Sequence, residues 1–224
     1  MTTILCWNMQ RKREGWRFLY ERHSDADVAL LQEACTPPDE VADKLDVGLG
    51  PWPRSCSEVV VGISGNVTVE RISLPDLRAS VAPSDICIPS VAIVTTAEGE
   101  RLGVVAAEAS HRTSPDLPKL MQAIQQHCGV DLPFIVGGDL TTWWDSNTTV
   151  FADMMRMGLP LIGPHTATFY SPLNRQTPSD AELQLDYVFT SRSIAHRITV
   201  RALNGVDEWG PSDHCRLLIE VAER

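Results

Sequence analysis

Polar side chains with chemistry to offer stand where the apolar runs of this sequence stop. Asn8 closes Ile4-Leu5-Cys6-Trp7, Glu33 closes the run 28–32, and Asp139 follows Phe134-Ile135-Val136-Gly137-Gly138. His111 comes after the run 102–109, Asp186 lies inside Leu183-Gln184-Leu185-Asp186-Tyr187-Val188-Phe189, and Asp213-His214 follow Gly210-Pro211-Ser212. A single carboxylate at a strand end ordinarily caps a turn or solvates a loop. Asp186 is different, because an unpaired carboxylate among apolar neighbours is expensive to bury. It requires a partner, and Asp213-His214 is the matching irregularity. A carboxylate held against an imidazole is a combination from which general acid–base chemistry is built.

To act together these residues need a scaffold that gathers strand ends. Short β-rich runs recur at 4–8, 28–32, 59–63, 67–72, 86–96, 102–109, 134–138, 185–190, 198–203 and 215–221. Helical spacing appears over 14–23, where Trp16, Leu19, Tyr20 and His23 share a face, and over 115–128, where Leu117, Leu120, Met121 and Ile124 do. Segment 146–158 is a third predicted helix. The strand-rich middle, 57–110, predicts antiparallel hairpins. Two packed sheets with helices outside fit this order, an α/β rather than an all-β architecture. Strand ends in such layers line the binding crevice. The two glycines before Asp139 are expected to let the backbone turn sharply there.

The chain has 224 residues, 43% hydrophobic and 21% charged. That predicts one globular domain, 1–224, with a sizeable core. A net charge of −10 argues against holding nucleic acid by bulk electrostatics alone. It leaves room for an enzyme with a local basic rim. The six cysteines show no C-x-x-C pair and no zinc spacing, so they read as reduced thiols, and a cytoplasmic setting is expected. With a first strand expected from about Thr3, no leader peptide is expected. No apolar stretch is long enough to predict a membrane span.

Taken in order, these residues resemble the endonuclease/exonuclease/phosphatase (DNase I-like) family. The resemblance rests on Trp7-Asn8, Leu31-Gln32-Glu33, a His after a strand at His111, Gly138-Asp139, Leu185-Asp186-Tyr187-Val188-Phe189 and Ser212-Asp213-His214. It implies a four-layer α/β sandwich, two mainly antiparallel or mixed sheets flanked by helices. It also implies metal-dependent phosphoester hydrolysis, with Mg2+, or Mn2+ in its place. Glu33 would be the main metal ligand, with Asn8 and Asp213 nearby. Asp186 would fix His214, which serves as base for an attacking water or as an imidazolium stabilising the transition state. Asp139 would orient that water, and His111 would donate to a phosphate oxygen.

One position departs from the family pattern, in which Asn follows the Gly-Asp pair two residues on. Thr141 stands there, with a shorter reach and one donor hydrogen instead of two. Losing such a donor outright costs about 10²–10³ in rate. At the rim, Arg11-Lys12-Arg13, extended by Arg17 and Arg22, could track a phosphate backbone, with Arg112 and Arg175 as weaker candidates. Trp143 and Trp144 are placed to stack on bases. Each has a plain alternative: a solvated helix start for the cations, core filling for the tryptophans.

Three functions follow. The first is a nuclease hydrolysing DNA or RNA, with nucleic acid as the partner. The second is a phosphatase or phosphodiesterase of a small ester such as an inositol phosphate or phospholipid head group. The third, raised by Thr141, is a catalytically weakened binding module.

Overall fold

The computed structural model describes residues 1–47, 57–73, 89–109, 116–140 and 148–224. Two sheets are stacked face to face. The first has the order β10-β11-β1-β2-β3, made of β1 (Thr2–Asn8), β2 (Val28–Ala34), β3 (Ser57–Gly62), β10 (Ile198–Leu203) and β11 (Arg216–Val221). The second has the order β4-β5-β6-β7-β9-β8, made of β4 (Val67–Ile72), β5 (Ser90–Thr96), β6 (Arg101–Glu108), β7 (Phe134–Asp139), β8 (Leu161–Gly163) and β9 (Asp186–Thr190). Each sheet is mixed: β1 and β2 run parallel, as do β6 and β7, and the remaining pairs are antiparallel.

Side-chain alternation builds the layers. Ile4 and Cys6 of β1 join Val28, Leu30, Val104, Ile135, Val188 and Leu217 in the core between the sheets. Leu5 and Trp7 point the other way and pack with Trp16 and Leu19 of α1 (Glu14–Arg22). A short helix, α2 (Asp39–Ala42), adds Val41 to that outer layer. Beyond the second sheet, Leu117, Leu120, Met121 and Ile124 of α3 (Leu117–Cys128) and Met154 of α4 (Thr148–Arg156) pack against Val105, Phe134 and Phe189. The period of two in the strands and the helical stripe in α1 and α3 therefore produce the α/β/β/α sandwich. The family resemblance implied the same architecture.

Two expectations need correction. The antiparallel pairing expected over 57–110 holds for β4–β5 and β5–β6, but β3 and β4 belong to different sheets and form no hairpin. Asp27 explains the crossover. Its carbonyl takes the Ile63 amide, and its carboxylate accepts the Ser64 hydroxyl, which ties the connection to β2's entrance. The glycines at 137 and 138 do not make a sharp turn either; both lie within β7. They are demanded by close approach. A Cβ on Gly138 would sit 1.7 Å from the Ala107 carbonyl oxygen, and one on Gly137 would sit 3.0 Å from Cys6 Sγ across the sheets.

Candidate active site

The parallel pairs bring several chemical groups to one end of the sandwich. β1 and β2 run together, so Asn8 lies opposite Gln32, one residue before Glu33. In the second sheet Glu108 pairs with Asp139, and Asp139 with Asp186. The segment before β11 lies beside β1 and delivers Asp213 and His214 to the same edge. Ser212 Oγ donates to the Asn8 carbonyl (2.7 Å) and accepts the His214 amide (3.1 Å), while Trp7 Nε1 donates to the His214 carbonyl (3.1 Å). These bonds cross-link the 212–214 turn to the end of β1.

His214 Nδ1 lies 2.9 Å from Asp186 Oδ2. A carboxylate can only accept, so Nδ1 carries the proton and Nε2 is turned away from Asp186. Nε2 lies 3.7 Å from Asp139 Oδ2 and 4.0 Å from Asp213 Oδ1. Asn8 Nδ2 donates to Asp139 Oδ2 (2.9 Å), and Asn8 Oδ1 accepts the Gln10 amide (2.8 Å). Gln10 Nε2 in turn donates to Asp213 Oδ2. Two hydrogen-bonded groups, Asp186–His214 and Asp139–Asn8–Gln10–Asp213, thus face each other across His214 Nε2, and Asn8, Asp139, Asp186, Asp213 and His214 are all buried. The sequence-predicted partnership of Asp186 with His214 is present as expected.

The electrostatics follow from that packing. Burial pushes the His214 pKa down, but Asp186, Asp139 and Asp213 outweigh it and raise the value to about 10. Burial raises Asp213, and nearby Glu33 adds to this while His214 and Lys12 oppose it. Glu108 is pushed up to about 8, first by burial and then by Glu58, Glu33 and Asp139. Negative charge thus exceeds positive charge around the strand ends.

Several of these neighbours were not anticipated. Glu108 lies inside the apolar run 102–109, the same signal that singled out Asp186, and could have been found by it. Thr168 had no such signal. Its Oγ1 accepts the amides of Leu185 and Asp186 (3.0 and 3.1 Å), and its carbonyl accepts the Cys215 amide (2.8 Å). Phe169 packs its ring 4.9 Å from that of His214. Together Thr168 and Phe169 brace the Asp186–His214 pair.

Glu33 reaches the edge of this cluster with a backbone φ of 46°, in the left-handed region unusual for a non-glycine residue. Its Oε2 is 3.0 Å from Arg11 Nε. Two more of the predicted rim cations are likewise engaged within the chain. Lys12 Nζ donates to the Pro211 carbonyl (2.9 Å), and Arg17 pairs with Glu40 (3.1 Å). Arg13 is exposed at the start of α1. Arg175 is exposed too, at the end of a single 3-10 turn in the loop that leaves the site after Phe169 and Tyr170. His111, Arg112, Thr141, Trp143 and Trp144 lie outside the described residues.

As a test of a divalent cation, the donors at this edge are hard oxygens: the Glu33 and Asp213 carboxylates and the Asn8 amide. Among the described residues, Asp213 Oδ1 is buried without a hydrogen-bond partner. Asn8 Oδ1 accepts one bond and keeps a second lone pair. Among the described residues no group of three or more His, Cys, Asp or Glu is arranged to hold a metal. Oxygen donors of this kind are the type Mg2+ takes, with one or two carboxylates and several waters. The residues fit.

Two layers of helix around two mixed sheets, with an Asp–His pair and carboxylates at one strand-end edge, define a DNase I-like α/β sandwich. A profile of the Endonuclease/Exonuclease/phosphatase family matches residues 7–214. The chain belongs to that family. Solved structures agree in fold over its whole length. The endonuclease domain of TRAS1, a telomere-specific non-LTR retrotransposon, superposes with a TM-score of 0.73 at 14% identity, covering 100% of both chains. A mannosyl-6-phosphatase from Bacteroides thetaiotaomicron gives 0.71 at 17% identity, again covering 100% of both. The 3' phosphatase NExo from Neisseria, bound to a product DNA hairpin, gives 0.67 at 14% identity and 100% coverage of both. No curated protein sequence matches the chain. Among the described residues no helix is long and apolar enough to cross a membrane.

Proposed function

We propose that this chain is a Mg2+-dependent phosphodiesterase, with Mn2+ able to substitute, and that it acts as a nuclease on DNA or RNA. The observation that carries the reading is the buried chain Asp186–His214···Asp139–Asn8 at the strand-end edge. Glu33 and Asp213, with the Asn8 amide oxygen, would hold the cation. When bound, the cation supplies Lewis-acid neutralisation of charge on the phosphate and the leaving oxygen. Asp186 fixes the His214 ring through Nδ1 and keeps Nε2 directed at the space beside Asp139 and Asp213. Asp139, braced by Asn8, orients the attacking water. His214 either takes that water's proton or, staying an imidazolium, stabilises the charged phosphate. Its raised pKa in the metal-free chain favours the imidazolium, and positive charge at Glu33 and Asp213 would shift the balance back toward the base. His111 and Thr141 are assigned to phosphate oxygens by family resemblance alone. Arg13, Arg112, Arg175, Trp143 and Trp144 remain candidate contacts to a longer substrate, within one domain spanning 1–224. The cytoplasmic assignment rests on reduced thiols, and Cys6, Cys35, Cys128 and Cys215 are free.

A small phosphate ester is the second reading. It is favoured by the engagement of Arg11, Lys12 and Arg17 within the chain, which leaves less basic surface for a polymer. A substrate panel separates the two. Nicking of plasmid DNA or shortening of RNA with Mg2+, abolished by chelator and by Glu33→Ala, is the expected result. Turnover confined to soluble monoesters would replace the nuclease by a small-ester phosphatase. Hydrolysis of neither, with metal still bound, would leave a binding module.

A further inference from the structure

We propose that Arg11 is a resident counter-ion for Glu33, one that a divalent cation must displace to enter the site. The inference rests on the reading of Glu33 as a metal ligand. The Arg11 guanidinium nitrogen Nε stands 3.0 Å from Glu33 Oε2, on the carboxylate where a metal would bind. The backbone is arranged to put it there. Gln10, Arg11 and Glu33 all take left-handed φ values, 50°, 58° and 46°. The Arg11 amide also donates to the Glu33 carbonyl (3.0 Å). Left-handed backbone is unfavourable for residues with a Cβ, so this local fold persists because the surrounding bonds over-determine it. Those bonds are the Gln10 amide to Asn8 Oδ1, Gln10 Nε2 to Asp213 and Lys12 Nζ to the Pro211 carbonyl.

The two partners differ in freedom. The Arg11 side chain is 69% exposed, whereas that of Glu33 is 24% exposed. An exposed ion pair is weak and its long partner can swing into solvent. The guanidinium is thus the more accessible of the two partners, and its pair with Glu33 is one that a divalent cation can outcompete. With the guanidinium in place, a second cation on the same carboxylate meets like-charge repulsion. With it displaced, the same guanidinium is released at the mouth of the site. Metal entry is thereby coupled to freeing a cation where substrate phosphate would approach. Lys12 cannot substitute, being held by Pro211, and Arg17 is paired with Glu40.

The test reads metal affinity and needs no turnover. The purified chain is stripped of metal and titrated with MnCl2 and MgCl2, with binding followed by calorimetry and by the shift in thermal midpoint. Arg11→Ala is expected to bind metal about two- to five-fold more tightly than the unaltered chain, the size set by losing one exposed competing pair. Arg11→Gly, which also suits the left-handed backbone, should show the same gain and covers the case in which the alanine variant folds poorly. Arg17→Ala removes equal charge from the neighbouring helix and should change affinity less than two-fold, by the same weak exposed-pair energetics. Unchanged or weaker binding in both Arg11 variants would overturn the proposal while leaving Glu33 as a ligand. An equal gain in Arg17→Ala would reduce it to general electrostatics and also overturn it. Binding by the unaltered chain that survives Glu33→Gln, or no binding by any variant, would instead overturn the metal reading itself, and this proposal with it.

Discussion

The two halves of the candidate site are held in contrasting ways. On one side Asp186 and His214 are sealed, with side chains 1% and 7% exposed, braced by Thr168, Ser212, Trp7 and Phe169. On the other, Glu33 faces the mouth and is matched, among the described residues, by the largely exposed Arg11. Groups that must hold a proton or orient water gain from rigidity, since small displacements of a catalytic group carry large rate penalties. Groups that must admit and release an ion and a substrate gain from an exchangeable partner. On the proposed function the sealed half supplies geometry, and the open half supplies access.

This contrast can be broken at several points, beginning with the largest effects. Asp186→Asn leaves shape nearly unchanged but removes the charge that fixes the His214 tautomer, and hydrolysis should fall by about 10²–10⁴-fold, the range for losing a positioned acid–base group. Steady-state rates at saturating metal check this, with circular dichroism confirming the fold. Gly138→Ala attacks the scaffold beneath Asp139. A methyl 1.7 Å from the Ala107 carbonyl forces the parallel β6–β7 pair apart, so denaturant unfolding should show a loss of about 3 kcal/mol or more, at the severe end of overpacking.

Smaller effects concern protons. The folded-state pKa of His214 is raised from 6.5 to about 10, so the stability it contributes is fully present below pH 6.5 and lost as pH rises toward 10. The thermal midpoint of the metal-free chain should therefore fall more across that window than that of His214→Gln; parallel curves would contradict the assignment. Glu108, raised from 4.5 to about 8, likewise favours the protonated fold, with stability lost as pH climbs through that range. Glu108→Gln should flatten this part of the curve and raise the midpoint above pH 8. The smallest change is expected at the rim: Arg17→Ala, which cuts an exposed pair with Glu40, should alter stability by no more than about 0.5 kcal/mol.

The difference between the halves also explains what could be read in advance. Sheet layers and helices were legible because alternation in β1 and the Trp16–Leu19 and Leu117–Ile124 stripes are local signals of burial. Asp186 and His214 were legible because a charge among apolar neighbours needs a partner wherever the chain brings one. The placement of β3 and β4 in separate sheets was not, since it depends on Asp27, distant in sequence, capturing the connection at Ser64. Nor was the role of Gly138, whose constraint is a carbonyl on another strand. Arg11 and Lys12 read as free rim cations because sequence shows charge but not the carboxylate or carbonyl each will meet. Thr168 carries no compositional mark, and only the return of its loop to Leu185 and Asp186 makes it a support.

The central claim is that the buried Asp186–His214 pair drives phosphoester hydrolysis at this edge. Its most direct test is the cleavage rate of a labelled DNA or RNA oligonucleotide with saturating Mg2+, compared between the unaltered chain and folded His214→Ala. The account predicts metal-dependent cleavage that falls at least about 10²-fold in the variant; cleavage that proceeds unchanged without His214 would contradict it.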